Sequence, residues 1–337
     1  MTASLRDRSL KLVQELGLGE QADVGEVVPL TGGVASDIAS VEVNGRKICV
    51  KFALPKLKVA AEWNAPVHRN AAEYAWLEVA AQILSDHAVE LYGRSESLHG
   101  FAMEFVAGGD VYLWKAAMLR GDPPQGEAAL VGDMLGRIHK GSAEKGFDVS
   151  PFQNRDDFYA LRIEPYLIYA ATQNPEVATE LTALAGMLYA GQNVLVHGDV
   201  SPKNILLRAG APIILDAECA TMGDASFDPA FCLNHLVLKA VHLKELRSDL
   251  LPEVGAFWRA YSAHVDWEDA TELERRLCRL LPALMLGRVD GKSPVEYLSN
   301  VEQNNVREIA ISMLQTPTAT LTEFVEKLAR KLKELDA

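Results

Sequence analysis

The stretch of residues 194–216 constrains this chain more than any other, because three short apolar runs alternate there with polar segments. The first run leads into a loop that contains Asp199 and, five residues later, Asn204. The next two runs are separated by a turn segment at 208–212, and the last run ends on Asp216. Apolar runs of this length between turn residues are typical of buried strands. We therefore predict strands that hold two carboxylates and an amide at their polar ends.

Two carboxylates and an amide at strand ends are the groups that a phosphoryl-transfer site requires. Mg²⁺ prefers oxygen ligands and retains several waters, and a hydroxyl acceptor needs a carboxylate within hydrogen-bond reach. Each residue alone is more typical of a turn or a helix cap. Their combination with a glycine turn, a strand lysine and a helix glutamate farther upstream favours a chemical role.

The first 106 residues are predicted to be rich in strands. Asn44-Gly45 lies between two apolar runs, which is a strong signal for a β-hairpin. The Gly32-Gly33 turn either is only a tight turn or brings backbone N–H groups over a phosphate. Gly108-Gly109 follows the last run and indicates a hinge or domain boundary. The predicted elements are a helix at 2–17, three strands within 25–52, a helix at 66–85 and strands at 89–94 and 100–106.

Lys51 lies near the end of the strand that follows the hairpin, between two apolar residues. A lysine there is usually a solvated edge residue, and it gains a role only if a carboxylate from a helix pairs with it. Glu73, on the helix that follows, is the first choice for that partner. Glu62 and Glu78 are the alternatives.

The remainder of the chain is predicted to be mostly helical, with the strands of 194–216 as an island. We therefore predict an α+β chain with a part at 1–106 and a part at 107–337, joined by a hinge at about 104–110. The predicted helices occupy 111–120, 127–141, 156–171, 176–190, 229–246, 249–264, 268–287, 294–314 and 319–336.

Composition narrows the possible partners. The net charge of −13 argues against nucleic acid or an anionic membrane as the main partner and is mildly favourable for a cationic substrate. The four cysteines show no C-x-x-C spacing, so neither a zinc site nor a redox dithiol is indicated. The sequence contains no apolar run of membrane-spanning length and no signal-peptide pattern near its start. We expect a reduced, cytoplasmic protein, either a monomer or a homodimer.

Three segments resemble the aminoglycoside phosphotransferase and choline kinase group, the small-molecule branch of the protein-kinase-like fold. His197-Gly198-Asp199 through Asn204 matches the catalytic loop of that group, and Asp216 matches the metal-binding aspartate that protein kinases carry in their Asp-Phe-Gly motif. The segment 103–110, Met-Glu-Phe-Val-Ala-Gly-Gly-Asp, is similar to a kinase hinge. The resemblance implies a bilobal fold with a small β-rich N-lobe and a larger, mostly helical C-lobe. It also implies ATP, or alternatively GTP, with Mg²⁺.

The resemblance assigns roles residue by residue. It makes Asp199 the base or orienter for the acceptor hydroxyl, and Asn204 and Asp216 the ligands of Mg²⁺. Lys51 would hold the α- and β-phosphates while paired with Glu73. Further nucleotide contacts are implied at the phosphates for Gly32, Gly33 and Ser36, at adenine for the backbone of Glu104 and Val106, and at the ribose for Asp110.

The sequence also departs from the protein-kinase pattern. Ser201 stands where protein kinases have a lysine, so position 201 lends no positive charge. Glu218 resembles the acidic third position of methylthioribose-kinase-like members and is expected to contact metal or substrate. Asp228 follows Asp216 by only twelve positions, too few for an activation loop with a peptide platform. His197 is interpreted as structural, and Asp228 either caps a helix or braces the catalytic loop.

These observations predict an ATP- and Mg²⁺-dependent kinase that phosphorylates a hydroxyl of a small polar metabolite or an aminoglycoside-like antibiotic. A nucleotide-binding regulatory pseudokinase is the alternative, and a protein kinase is less consistent with the sequence. The acceptor is expected between Asp199 and the helical part. The candidate residues of its wall are Glu218, Asn234, Arg162, Tyr166, Arg288 and Asp290.

Overall fold

The structure is a computed structural model that describes residues 4–30, 36–55 and 66–336. The predictions for Gly32, Gly33 and Glu62 lie outside the described residues.

Five antiparallel strands form a sheet in the N-terminal part, in the order β1-β2-β3-β5-β4. The predicted hairpin is confirmed, because Asn44 and Gly45 have φ angles of 51° and 77° and Val43 pairs with Arg46 across the turn. Positive φ at both central residues is the type I′ geometry that Asn-Gly favours. The bounds are Val24–Pro29 (β1), Ser36–Val43 (β2), Arg46–Ala53 (β3), Leu91–Ser95 (β4), Gly100–Glu104 (β5), Leu5–Glu15 (α1) and Arg69–Ile83 (α2).

Strand β3 directs alternate side chains toward α1 and α2. Val50 belongs to the apolar cluster that contains Leu12 of α1, whereas Cys49 belongs to the cluster that contains Trp76 of α2. Side chains alternate along a strand with a period of two. Lys51 therefore lies on the same face as Cys49, beneath the helix that contains Glu73.

Helices dominate the described chain after β5, as predicted from the sequence. No helix within the described ranges is both long and apolar enough to span a bilayer. The helices are Trp114–Arg120 (α3), Glu127–Ala143 (α4), Arg155–Phe158 (α5), Tyr169–Gln173 (α6), Ala178–Ala190 (α7), Phe227–His242 (α8), Arg247–Ser262 (α9), Ala270–Asp290 (α10), Asn300–Gln315 (α11) and Leu321–Leu335 (α12).

The predicted strand island of 194–216 is confirmed. Val194–Val196 (β7) pairs with Thr221–Gly223 (β10), and Ile205–Arg208 (β8) forms a hairpin with Ala211–Ile214 (β9). A further strand, Val111–Leu113 (β6), pairs with the other edge of β8. The polar residues of the stretch lie at the ends of these strands.

In two segments predicted as helices, part of the chain adopts another conformation. The helix predicted at 111–120 begins only at Trp114, because the β-branched and aromatic residues before it pair with β8 as strand β6. The segment predicted as a helix at 156–171 contains a π-helix, Tyr159–Ile168, that includes Pro165. Proline has no N–H group to donate, and it disrupts regular α-helical hydrogen bonding.

The helix predicted at 294–314 begins later than expected, at Asn300. Ser299 caps it: its side chain accepts from the N–H of Glu302, and the Glu302 carboxylate accepts from the N–H of Ser299. This reciprocal capping box fixes the helix start. Residues 293–297 are thereby left as a loop, which borders the candidate site.

Candidate active site

His197 links the loop that contains Asp199 to the residue that follows strand β9. Its Nδ1 accepts a hydrogen bond from the Asp199 N–H at 3.0 Å, and its Nε2 lies 3.2 Å from the carbonyl of Leu215. A carbonyl only accepts, so these partners assign the proton to Nε2. Burial lowers the pKa of His197, which keeps the ring neutral. The structural interpretation of this histidine is confirmed by these contacts.

Asp228 braces the loop from behind. Its buried carboxylate accepts from the backbone N–H of His197 at 2.6 Å and of Gly198 at 2.9 Å. Gly198 has a φ of 82°, where a side chain would also approach Cys219 within 2.7 Å. Of the two interpretations of Asp228, the structure supports the brace, because the N-cap position of α8 is Ser226.

The carboxylate of Asp199 lies between two cations. Its Oδ2 is 3.1 Å from Arg162 Nη2 and 3.1 Å from Lys203 Nζ. Asn204 closes the loop, because its Nδ2 donates to the backbone carbonyl of Asp199 at 3.0 Å. The sequence analysis did not identify Lys203. If the segment after Asp199 is assumed to form a turn, a residue four positions later is expected to lie beside Asp199. A positive charge is thus available in the loop, supplied by Lys203 rather than by position 201.

Lys51 is the centre of a second cluster, between the sheet and the end of β9. Its ammonium lies 2.8 Å from Glu73, contacts Asp216 directly and lies 3.0 Å from Glu218. The predicted pairing of Lys51 with Glu73 is confirmed. Ser36 donates to Glu218, and Arg69 Nε lies 2.7 Å from the other oxygen of that carboxylate. Arg69 was missed, because an arginine in the first turn of a helix ordinarily faces solvent.

This cluster is rich in oxygen donors. Oxygens of Glu73, Asp216 and Glu218 lie within 4.8 Å of one another. Burial raises the pKa of Glu73 to about 8 despite Lys51. Burial also opposes ionisation of Asp216 and Glu218, but Lys51 overcomes it and holds the pKa of each below its ordinary value. Two ionised carboxylates are therefore available here to a hard cation.

Glu104 at the end of β5 contacts strand β8, and Asp110 contacts the turn that follows β8. Glu104, predicted to contact adenine through its backbone, donates its N–H to the carbonyl of Glu90 at 2.7 Å. Its carboxylate pairs with Arg208 of β8 at 2.6 Å. Asp110 accepts at its carbonyl from the N–H of Ala209 at 3.3 Å. The roles of Glu104, Val106 and Asp110 toward a nucleotide stay predictions.

A cavity of about 180 Å³ opens beside Asp199, which we call the acceptor cavity. Tyr166 and Arg288, two of the candidate wall residues, line it, and Arg288 Nη1 donates to the Tyr166 hydroxyl at 3.0 Å. A larger depression of about 550 Å³ lies between α2 and α4 and is lined by none of the predicted site residues. The other lining residues used below are Lys115, Ser201, Lys203, His235, Lys239, Glu296 and Tyr297.

The other four wall candidates lie elsewhere. Arg162 contacts the catalytic loop, and Glu218 belongs to the Lys51 cluster. Asp290 accepts from Arg307 through both oxygens and from the amide of Asn174. Asn234 is buried, and neither polar atom of its side chain has a hydrogen-bond partner in the described part of the chain.

Solved structures with a similar fold place this chain in a structural class. A solved amicoumacin kinase, in complex with AMP-PNP, Ca²⁺ and Ami, matches 96% of this chain and 100% of its own, with 14% identity and a TM-score of 0.57. A choline/ethanolamine kinase family protein from Mesorhizobium loti matches 97% of this chain and 98% of its own, with 15% identity and a TM-score of 0.51. The fold is therefore that of the small-molecule kinases, as predicted.

The family follows from the sequence comparison. The model of the phosphotransferase enzyme family matches residues 26–273, and the chain therefore belongs to that family. Methylthioribose kinases of Cronobacter sakazakii and Klebsiella pneumoniae are 21% and 24% identical over 254 and 218 residues. These alignments cover 64% and 56% of this chain, and 62% and 53% of those proteins. The match thus spans less than two thirds of either relative.

Proposed function

We propose that this protein transfers the γ-phosphoryl group of ATP, in a Mg²⁺-dependent reaction, to a hydroxyl group of a small molecule. The observation on which the proposal rests is the Asp199 carboxylate, which borders the acceptor cavity while two cations flank it. Family membership and the similarity to methylthioribose kinases support this reaction class. The nucleotide analogue and divalent cation in the amicoumacin kinase structure support the cofactors, with GTP as the alternative nucleotide.

On the acceptor side, Asp199 orients the acceptor hydroxyl and accepts its proton as the phosphoryl group is transferred. Lys203 and Arg162 stabilise the negative charge that develops beside it. A phosphoryl transfer needs little covalent chemistry from the protein, so positioning and charge account for most of the catalysis.

On the nucleotide side, Asp216 and Asn204 hold the metal, and Glu218 is a third oxygen donor in reach of the same cluster. The donor set fits Mg²⁺, which prefers carboxylate and amide oxygens and neutralises phosphate charge when bound. Lys51, held by Glu73, contacts the α- and β-phosphates. The remaining proposed nucleotide contacts are Gly32, Gly33, Ser36, Glu104, Val106 and Asp110.

The Asp216→Ala variant tests the nucleotide side. We expect Mg²⁺-dependent affinity for ATP to fall by about tenfold or more, because a charged ligand to the metal is lost. Isothermal titration of Mg·ATP into wild type and variant measures this change. Glu78→Ala is the matched control, because this exposed carboxylate lies on α2 outside the cluster. Unchanged Mg·ATP affinity in Asp216→Ala would count against the metal role.

A regulatory pseudokinase is the second candidate. It would bind Mg·ATP through the same Lys51 cluster without transferring phosphate, so binding alone does not separate the two. A thermal-shift screen with Mg·ATP and a panel of amines, sugars and hydroxy acids, followed by assays of ADP release, does separate them. Acceptor-dependent ADP release supports the kinase. Slow hydrolysis that no acceptor stimulates supports the regulator.

A further inference from the structure

The acceptor cavity is cationic within an acidic molecule. Four of its lining side chains are basic and two are carboxylates, whereas the whole chain has a net charge of −13. Both carboxylates are already paired, Asp199 with Lys203 and Glu296 with Lys115. The other two basic residues of the cavity wall, Lys239 and Arg288, form no ion pair with any described residue.

Lys239 is the more unusual of the two. It is 1% exposed, and its ammonium lies over the ring of Tyr297, whose centroid is 5.1 Å from Nζ. The ammonium forms no hydrogen bond or ion pair with any described residue. Burial and the charge of Lys115 lower the pKa of Lys239 to about 7, and the Glu296 carboxylate offsets only part of this shift. Burial of a charged amine without a hydrogen-bonded partner costs free energy, and a bound anion would offset that cost.

Other polar groups on the cavity wall also lack partners. Arg288 donates to neutral oxygens of Tyr166 and Ser293, and its Nε is buried without a hydrogen bond in the described structure. The Tyr297 hydroxyl and the Ser201 hydroxyl are likewise buried and unpaired among described residues. A wall of unpaired donors is complementary to an acceptor-rich anion.

The geometry points to an anionic acceptor: a small hydroxylated carboxylic acid whose carboxylate is bound by Lys239 and Arg288 and whose hydroxyl lies at Asp199. This inference rests on the proposed function and names its substrate class. The net charge of −13 mildly favours a cationic substrate, whereas the charges on the cavity wall favour an anionic one. The volume of the acceptor cavity is consistent with a small acceptor, because about 180 Å³ is below the range of pockets that bind drug-sized ligands. An aminoglycoside is both too large and of the wrong charge.

The test compares matched acceptors that differ in one terminal group, which is a carboxylate, a neutral hydroxymethyl group or an aminomethyl group. Gluconate, sorbitol and glucamine form one set, and D-glycerate, glycerol and 3-aminopropane-1,2-diol form another. Each compound is titrated calorimetrically into protein saturated with Mg·AMP-PNP, so that nucleotide phosphates already occupy their own site. At least one carboxylate should bind about tenfold more tightly than its neutral and amine counterparts, since a hydrogen bond to a charged group contributes on that scale.

Lys239→Met removes the charge at nearly constant volume, and it should abolish that preference while the protein stays folded. Lys239→Arg should retain part of it. Lys333→Met, which removes an exposed charge on α12, is the control and should bind like wild type. Arg288 is left intact in this comparison, because its hydrogen bonds tie the cavity wall together.

Several results would overturn the inference. These are equal or tighter binding of the neutral or amine compounds, no binding of either carboxylate to wild type, or an unchanged preference in Lys239→Met. Tighter binding of glycerol 3-phosphate than of glycerate would overturn the choice of a carboxylate. Failure of Mg·AMP-PNP to bind is a different outcome, because it contradicts the proposed kinase function itself.

Discussion

Asp228 determines the shape of the loop around Asp199, although it contacts no predicted substrate position. Its carboxylate satisfies two backbone N–H groups, those of His197 and Gly198, in a fully buried setting. Removing a buried charged acceptor leaves both donors unsatisfied, which costs more than the loss of an ordinary hydrogen bond. The loop geometry therefore depends on a residue of helix α8.

We predict that Asp228→Ala lowers the free energy of unfolding by about 3 kcal/mol or more. Asp228→Asn should cost less, because its amide oxygen still accepts one of the two bonds. Urea unfolding measures both variants. Asp266→Ala, which removes an exposed partner of Lys140, is the control and should cost under about 1 kcal/mol. If Asp228→Ala lowers the free energy of unfolding no more than this control does, Asp228 does not stabilise the loop as described.

At the scale of elements, helices α4 and α9 approach closely through a glycine. A Cβ atom on Gly132 would lie 2.4 Å from the carbonyl oxygen of Phe257 on α9, closer than real contacts allow. The Phe257 carbonyl is part of the α9 backbone, so it cannot move aside as the end of a flexible side chain could. This contact helps to fix how α9 packs on α4, and α4 in turn contains His139, whose ring lies 3.4 Å from Asp228.

Gly132→Ala should therefore lower the free energy of unfolding by about 1–3 kcal/mol, although alanine favours helices. The chain offers a matched control in Gly186 on α7, where an added Cβ meets nothing within 4 Å. Gly186→Ala should raise stability by up to about 1 kcal/mol. Thermal or urea unfolding of both variants decides the matter. Equal effects at the two glycines would refute the close-packing argument.

At the scale of the whole molecule, the sequence was most informative where local patterns determine structure. The Asn44-Gly45 hairpin and the strand island at 194–216 were predictable, because turn chemistry and apolar runs are local signals. The Lys51–Glu73 pair was the first choice among three possible pairings, and the structure contains it. The resemblance of residues 103–110, 197–204 and 216 to a known family predicted the kinase-like fold, which the comparisons support.

The contents of the acceptor cavity were not predictable in the same way. Lys115, Lys203, Lys239 and Arg288 come from four separate segments, and only the folded chain brings them to one wall. Phe231, His235 and Lys239 do lie four residues apart on α8, so one face of that helix could have been identified. From the sequence alone, a lysine such as Lys239 is expected to be solvated, although the structure buries it.

The central claim is that Asp199 acts on an acceptor hydroxyl during phosphoryl transfer from ATP. The most direct test is the rate of acceptor-dependent ADP formation by Asp199→Ala, with the acceptor that the screen identifies, alongside its affinity for Mg·ATP. We predict that kcat falls by about 10²–10⁴-fold, the usual contribution of a positioned acid–base group, while Mg·ATP affinity changes little. Turnover near the wild-type rate in this variant would contradict the assignment.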